Sequence, residues 1–167
     1  MSGARLSRGT GTTNVATGLP VLDHLLGALA RAGRFDLTLE VAPDDPEAEV
    51  HGAGSALGRA LVPVLADGAV GEAVVPMDEA LAMVVLERSS RPLVASNVDL
   101  TGVGGIGSDL ATRFLHAVAE AAGLTLHVRL LEGEDTDHVL EAIFKALGLA
   151  LARAADHTGR STDTEEP

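Results

Sequence analysis

Two stretches, Ser55-Ala56-Leu57-Gly58-Arg59-Ala60-Leu61 and Lys145-Ala146-Leu147-Gly148-Leu149-Ala150-Leu151, share the pattern Ala-Leu-Gly-x-Ala-Leu at an offset of 90 positions. Ala32-Gly33 meets Ala122-Gly123 at the same offset. Helices rich in Ala and Leu produce short matches by composition alone, so the order of elements around the motif decides. Leu22, Leu25, Leu26, Leu29 and Ala30 recur at helical spacing, opened by Pro20 and closed by Gly33, and Phe35, Leu37, Leu39 and Val41 then alternate as in a half-buried strand. Asp45-Pro46 reads as an N-cap with Pro at N1, opening a helix that runs to about Ala66 unless Pro63 kinks it. The order returns as a helix over about Ser108 to Ala122, a strand Leu124 to Leu131 and a helix from Thr136 to about Ala155. Helix, strand, acidic turn and helix thus occur twice, over about 18–66 and 108–155. The simplest account is an α+β fold of two fused half-domains, each pairing strands with two helices. Ala82 to Glu87 and Leu93 to Leu100 read as strands, Gly102 to Gly107 as a glycine loop, and Met1 to Thr17 as at most a short strand and a turn.

A chain of 167 residues suits one domain, expected over 1–156, with an acidic, disordered tail over 157–167. Aromatics make up 2% and Trp and Tyr are absent, so the core is aliphatic. The net charge of -12 repels phosphate backbones and anionic lipid, which argues against nucleic acid and membrane as partners. No apolar run reaches the ~18 residues of a membrane span. With no cysteine there is no disulfide, no thiolate and no Cys-zinc site, a usage that fits the cytoplasm. Any metal falls to His and carboxylate.

The offset that aligns the halves also places Glu47 on Asp137 and His51 on Glu141. Each pair is i, i+4 on its helix, one turn apart on one face, a spacing that lets two side chains share an ion. His138 lies about 100° further round, and His24 and His127 stand on the first helix and on the strand before the last helix. Oxygen and imidazole donors without sulfur suit manganese, iron(II) or zinc. Acidic residues in a first helical turn also complement the helix dipole. His24 beside Asp23 and His127 between Leu126 and Val128 also read as surface histidines, and His116 and His157 show no partner pattern. Gly102-Val103-Gly104-Gly105-Ile106-Gly107 fits a dinucleotide fingerprint. However, Asn97 and Asp99 interrupt the preceding strand, and Glu132 comes later than the usual ~20 residues. The glycines read as a connector. The G-x-S-x-G elbow, the Walker loop and the H-E-x-x-H helix are absent from the sequence.

Four blocks carry a resemblance: Thr17-Gly18-Leu19-Pro20-Val21-Leu22-Asp23-His24-Leu25-Leu26, Pro76-Met77-Asp78-Glu79-Ala80-Leu81-Ala82, Ala122-Gly123-Leu124-Thr125-Leu126-His127-Val128-Arg129 and Asp137-His138-Val139-Leu140-Glu141-Ala142-Ile143-Phe144-Lys145-Ala146. In order, from about Gly9 to Ala155, the chain resembles imidazoleglycerol-phosphate dehydratase. The resemblance implies helices packed between two mixed β-sheets (ribosomal protein S5 domain 2-like), and trimers assembling into 24-subunit shells with manganese at subunit interfaces. It also implies removal of water from imidazole glycerol phosphate in histidine biosynthesis. In that reaction two manganese ions hold the substrate ring, a glutamate near the N-terminus moves a proton, and arginine, lysine and serine grip the phosphate.

His24, His127, His138 and Glu141 match the family's ligands, while Asp137 replaces a histidine. Where the family has two adjacent histidines and a glutamate four after the first, this chain has Glu47, Ala48 and His51. The resemblance thus implies one ion held by His24, Glu47, His51 and His138, and a second by His127, Asp137 and Glu141 without a ligand at Ala48. Arg91, Lys145 and Ser161 match the phosphate grip, but Gly102 stands at an expected arginine and Asp163 near an expected lysine. Losing one cation from a charge-assisted phosphate contact costs ~1.5 to 3 kcal/mol. The family's first strand with its glutamate has no match near Met1. Two functions are compatible with this pattern: a metal-dependent hydro-lyase with reduced or altered activity, and a non-catalytic paralogue that keeps the oligomeric scaffold and a structural metal.

Overall fold

The computed structural model describes residues 2–98 and 109–158. Among these, two mixed sheets enclose four helices. Strands β1 (Gly3–Arg8), β2 (Thr13–Ala16) and β3 (Phe35–Glu40) form a three-stranded sheet in the order β1-β3-β2, with β1 antiparallel and β2 parallel to β3. Strands β4 (Val70–Met77), β5 (Ala80–Arg88), β6 (Leu93–Ser96) and β7 (Leu124–Glu132) form the other, in the order β4-β5-β7-β6, with β5 antiparallel and β6 parallel to β7. The environment of β3 is thus reproduced around β7, and β4 is an added edge. The helices are α1 (Pro20–Gly33), α2 (Pro46–Leu61), α3 (Leu110–Ala122) and α4 (Thr136–Thr158). The duplicated half-domains expected from the repeat are therefore present, and α2 and α4 begin 90 positions apart.

The halves interlock through their helices, because α1 packs on α4 and α2 on α3. The repeated glycine makes these crossings close. A Cβ on Gly148 would lie 2.0 Å from the Leu29 carbonyl oxygen of α1, and one on Gly58 would lie 2.5 Å from Ala121 Cβ of α3. Both motifs of the repeat are thus the points where one half's second helix meets the other half's first. Leu124, Leu126 and Val128 on β7 and Ala82, Val84 and Leu86 on β5 face the helices. The core is aliphatic apart from Phe35, Phe114 and Phe144, the last two stacked with ring centroids 5.4 Å apart.

Several elements differ from the sequence reading. Residues 3–16 form two strands rather than one short strand and a turn; each leans on the central β3, whose apolar alternation supplies the buried side. Strand β4 was masked by Gly71 and Pro76. Its edge position explains both, since an edge proline interrupts no ladder on its open side, and a Cβ at Gly71 would lie 1.9 Å from the Ala150 carbonyl oxygen of α4. Pro63 ends α2 at Leu61 and sits in a 3-10 turn, Val62–Val64. Helix α4 continues to Thr158; the rest of the acidic tail and the glycine loop Gly102 to Gly107 lie outside the described residues.

Candidate active site

The segment before α1 is set by Asp23, whose Oδ1 accepts from the Thr17 backbone N–H at 2.9 Å and from the Thr17 hydroxyl. Thr17 is fully buried, so the phase of the first helical turn is fixed by a hydrogen bond shielded from water. One residue on, His24 turns its Nε2 to within 3.6 Å of Glu141 Oε1 on α4. Asp137, one turn earlier on α4, joins them around a cavity of about 370 Å³ whose apolar wall is Pro20, Val21, Leu25 and Leu140. Lys145, one turn beyond Glu141, holds its Nζ 3.8 Å from Glu141 Oε1 and 3.4 Å from Met77 Sδ. The cavity between α1 and α4 thus carries an imidazole and two carboxylates, with an ammonium beside one of the carboxylates.

Glu47 and His51 line a separate cavity of about 220 Å³ between α2 and α3, with Arg113, His116 and Glu120. Asp45 caps α2 as the sequence suggests, its Oδ1 accepting from Ala48 N–H at 2.9 Å. Arg113 Nη1 lies 3.5 Å from Glu47 Oε2, and its Nε 3.2 Å from Asp109 Oδ2. His116, which the sequence left without a partner, belongs to this cluster.

His138 faces another direction. Its Nδ1 lies 2.7 Å from Glu79 Oε2 and 3.8 Å from Asp135 Oδ1, while its Nε2 lies 3.2 Å from Asp78 Oδ2. Asp78 and Glu79 form the two-residue turn between β4 and β5, with Asp78 at a φ of 49°. The Asp135 N–H holds the Glu79 carboxyl below its ordinary value, and the hydrogen bond to Glu79 raises His138. His127 lies on the face of β7 turned away from the helices, paired in register with Val85 and Ala95.

One chain therefore brings His24 together with Asp137 and Glu141, and Glu47 together with His51, and leaves His138 and His127 apart from both groups. Among the described residues no three His, Asp or Glu groups of one chain are arranged to hold an ion. Arg91 sits in the β5–β6 connection, its N–H donating to Ser89 Oγ and its carbonyl accepting from Thr125 Oγ1. Ser161 and Gly102 lie outside the described residues. Asp78, Glu79, Asp135 and Arg113 were not singled out from the sequence. The available signal for the first two was a pair of acids between two apolar runs, the pattern of a hairpin turn.

The family model described as imidazoleglycerol-phosphate dehydratase matches residues 17–151. The chain belongs to this family. It is 42% identical over 155 residues to the imidazoleglycerol-phosphate dehydratase of Pelobacter propionicus, covering 87% of this chain and 80% of that protein. It is also 42% identical to that of Desulforudis audaxviator, covering 88% and 80%. Among solved structures, the Pyrococcus furiosus protein in complex with (S)-C348 superposes with a TM-score of 0.82 at 29% identity, covering 92% of this chain and 88% of that one. The Staphylococcus aureus imidazoleglycerol-phosphate dehydratase superposes with a TM-score of 0.82 at 31% identity, covering 92% of each. Membership in the dehydratase family and the two-sheet fold thus rest on sequence and structure independently.

The donor chemistry suits a divalent ion. Ligand atoms bound at about 2.0 to 2.2 Å and subtending 90° to 120° at an ion lie roughly 2.8 to 3.8 Å apart. His24 Nε2 and Glu141 Oε1, at 3.6 Å, meet that spacing, as do His138 Nε2 and Asp78 Oδ2 at 3.2 Å. Each is a pair of donors, and the remaining ligands would come from water or from a second copy of the chain.

Proposed function

We propose that this chain is a metal-dependent hydro-lyase of the histidine-biosynthesis dehydratase family, acting on imidazole glycerol phosphate or a close phosphorylated imidazole, with dehydration weaker than in its full-ligand relatives. The observation that carries this reading is the convergence of His24 with Asp137 and Glu141, residues more than a hundred positions apart, on one cavity. Manganese is the expected ion, with iron(II) and zinc compatible with the same donors. When bound, such an ion stabilises negative charge that develops on the substrate ring as water leaves. His24 and Glu141 would hold it, and Asp137 would add a second carboxylate. Lys145 places positive charge one helical turn along α4, where a phosphate is attracted while the ring lies near His24. Arg91 and Ser161 complete the phosphate grip by family match.

The weakening is supported by what stands elsewhere. Ala48 has no donor atom where the family has a histidine, and Gly102 and Asp163 replace cations of the phosphate grip. Each lost cation costs ~1.5 to 3 kcal/mol, about 10- to 150-fold in binding. The second reading, a non-catalytic scaffold paralogue, draws on Ala48 and on the Arg113 guanidinium beside Glu47.

Assembly into a homo-oligomer belongs to the same proposal. The outer face of the four-stranded sheet carries an apolar strip, with Val74 and Leu93 about half exposed beside Met83, Val85 and Ala95, bordered by Glu72, Glu87 and Arg129. The outer face of the three-stranded sheet is polar, with Arg5, Ser7, Asn14, Thr38 and Glu40. The apolar strip suits cover by another copy, and His127 lies on the same face.

Elemental analysis of the purified full chain is expected to find stoichiometric manganese, iron or zinc that His24→Ala and Glu141→Ala lose. A metal-free wild type that also takes up no Mn²⁺ on titration refutes the metal reading. Restored growth of a histidine auxotroph lacking the dehydratase, at ordinary expression, refutes the weakened activity.

A further inference from the structure

The hairpin turn Asp78-Glu79 makes contacts with α4 that a turn does not need for its own stability. Glu79 divides its carboxylate between two donors: Oε1 accepts from Asp135 N–H at 3.0 Å, and Oε2 lies 2.7 Å from His138 Nδ1. An ionised carboxylate only accepts hydrogen bonds, so Nδ1 carries the proton. In the neutral ring that leaves the lone pair on Nε2, which lies 3.2 Å from Asp78 Oδ2. Two electron-pair donors this close repel unless a proton or a metal ion lies between them, and metal uptake at neutral pH displaces that proton.

We propose that Glu79 is a positioning residue: it fixes the orientation and tautomer of His138 so that Nε2, together with Asp78 Oδ2, forms a two-donor claw for a divalent cation. Carboxylates that accept from the far nitrogen of a metal-binding imidazole both orient the ring and raise its basicity. The claw rests on the metal reading above, whereas the tautomer assignment does not. Asp135 extends the clamp, its Oδ1 accepting from the backbone N–H groups of Asp137 and His138 while its own N–H holds Glu79. The hairpin and the first turn of α4 are therefore tied together with the ring between them.

Glu79→Gln separates positioning from support. If the amide oxygen keeps the Asp135 N–H, the amide NH₂ faces His138 Nδ1 and donates to it, which forces the proton onto Nε2. The ring is read from the nitrogen chemical shifts of His138 in the metal-free full chain at about pH 8.5, two units above the ordinary 6.5. Wild type is expected to show a protonated Nδ1 and a bare Nε2, and Glu79→Gln the reverse. Mn²⁺ binding, followed by the spectrum of the free ion, is expected to weaken about 10- to 100-fold in Glu79→Gln and in Asp78→Asn, with far-ultraviolet circular dichroism unchanged. Glu79→Asp is expected to restore part of the affinity. A wild-type ring protonated on both nitrogens, or a Glu79→Gln ring that keeps the wild-type tautomer, overturns the positioning role. An inverted tautomer with unchanged Mn²⁺ affinity overturns the claw. A wild type that binds no Mn²⁺ while its tautomer inverts in the variant overturns the metal reading and supports the positioning of the ring.

Discussion

Gly148→Ala tests whether the repeated motif sets the distance between the two halves. The added methyl would lie 2.0 Å from the Leu29 carbonyl oxygen and 2.8 Å from its carbon, against an ordinary contact of 3.4 Å or more. Both atoms are backbone inside α1, so no rotamer change relieves the overlap, and the helices must part. Alanine in place of glycine in an unobstructed helix gains about 1 kcal/mol. Overpacking a close-packed interior costs about 1 to 3 kcal/mol, at the upper end where the neighbour is rigid. The net expectation is a loss of about 2 kcal/mol, or ~4 to 8 °C in Tm for a chain of this size. Gly27→Ala in α1 is the control, because its methyl meets only Arg31 Nη1, at 3.0 Å, the end of a flexible side chain; it is expected to gain up to about 1 kcal/mol. Gly58→Ala falls between, meeting Ala121 Cβ at 2.5 Å and the Val118 carbonyl oxygen at 2.9 Å. Urea midpoints at constant m-value should rank Gly27→Ala above wild type, then Gly58→Ala, then Gly148→Ala. A Gly148→Ala protein as stable as wild type refutes the close-crossing argument. Because α1 and α4 carry His24 and Glu141, the same variant should also take up less metal.

Asp45→Ala removes the N-cap of α2 and is expected to cost about 1 kcal/mol by urea unfolding, with Glu47 and His51 becoming more mobile because they sit in the turns that the cap anchors. Asp36 accepts from the Thr12 and Thr10 N–H groups, which hold its carboxyl below the ordinary 3.8. Its folded pKa is depressed, so its contribution is present above 3.8 and lost as pH falls through the folded value. Unfolding free energies of wild type and Asp36→Asn, measured at intervals of pH, are expected to converge on acidification; a constant difference across that range counts against the hydrogen-bonded loop as its source.

The helices were legible because each buries an apolar stripe whose period shows in one segment alone. Asp45-Pro46 marked the start of α2 because capping is a local matter of one side chain and one N–H. The sequence reading allows one short strand where β1 and β2 lie and none at β4; all three lie at sheet edges, where one side of the strand meets solvent and the composition follows solvent as much as the sheet. The ligand pairs Glu47/His51 and Asp137/Glu141 were visible as spacing on one helix, whereas their partners were not. Arg113 reaches Glu47 across 66 residues and Glu79 reaches His138 across 59. The first depends on how α2 and α3 cross, at Gly58, and the second on how the β4–β5 hairpin packs on α4, and neither packing can be read from the charges of the segments that make it.

The duplication also bears on where an ion would bind. The cavities between α1 and α4 and between α2 and α3 are repeat mates, since Asp137 and Glu141 lie 90 positions after Glu47 and His51. At the same offset Asp23 in one half becomes Arg113 in the other. Asp23 is occupied with Thr17, so the α1/α4 cavity keeps both its carboxylates beside His24. In the mate, Arg113 neutralises Glu47. An exposed pair of that kind contributes about 0.2 to 1 kcal/mol, far less than the ~8 kcal/mol of micromolar ion binding, so Arg113 alone does not close that cavity to metal. What separates the two is donor spacing, because Glu47 and Glu141 each stand beside a cation, Arg113 at 3.5 Å and Lys145 at 3.8 Å. The α1/α4 cavity already holds His24 Nε2 and Glu141 Oε1 3.6 Å apart. Loading should therefore begin at His24, with the second ion, where present, weaker and more dependent on a neighbouring chain.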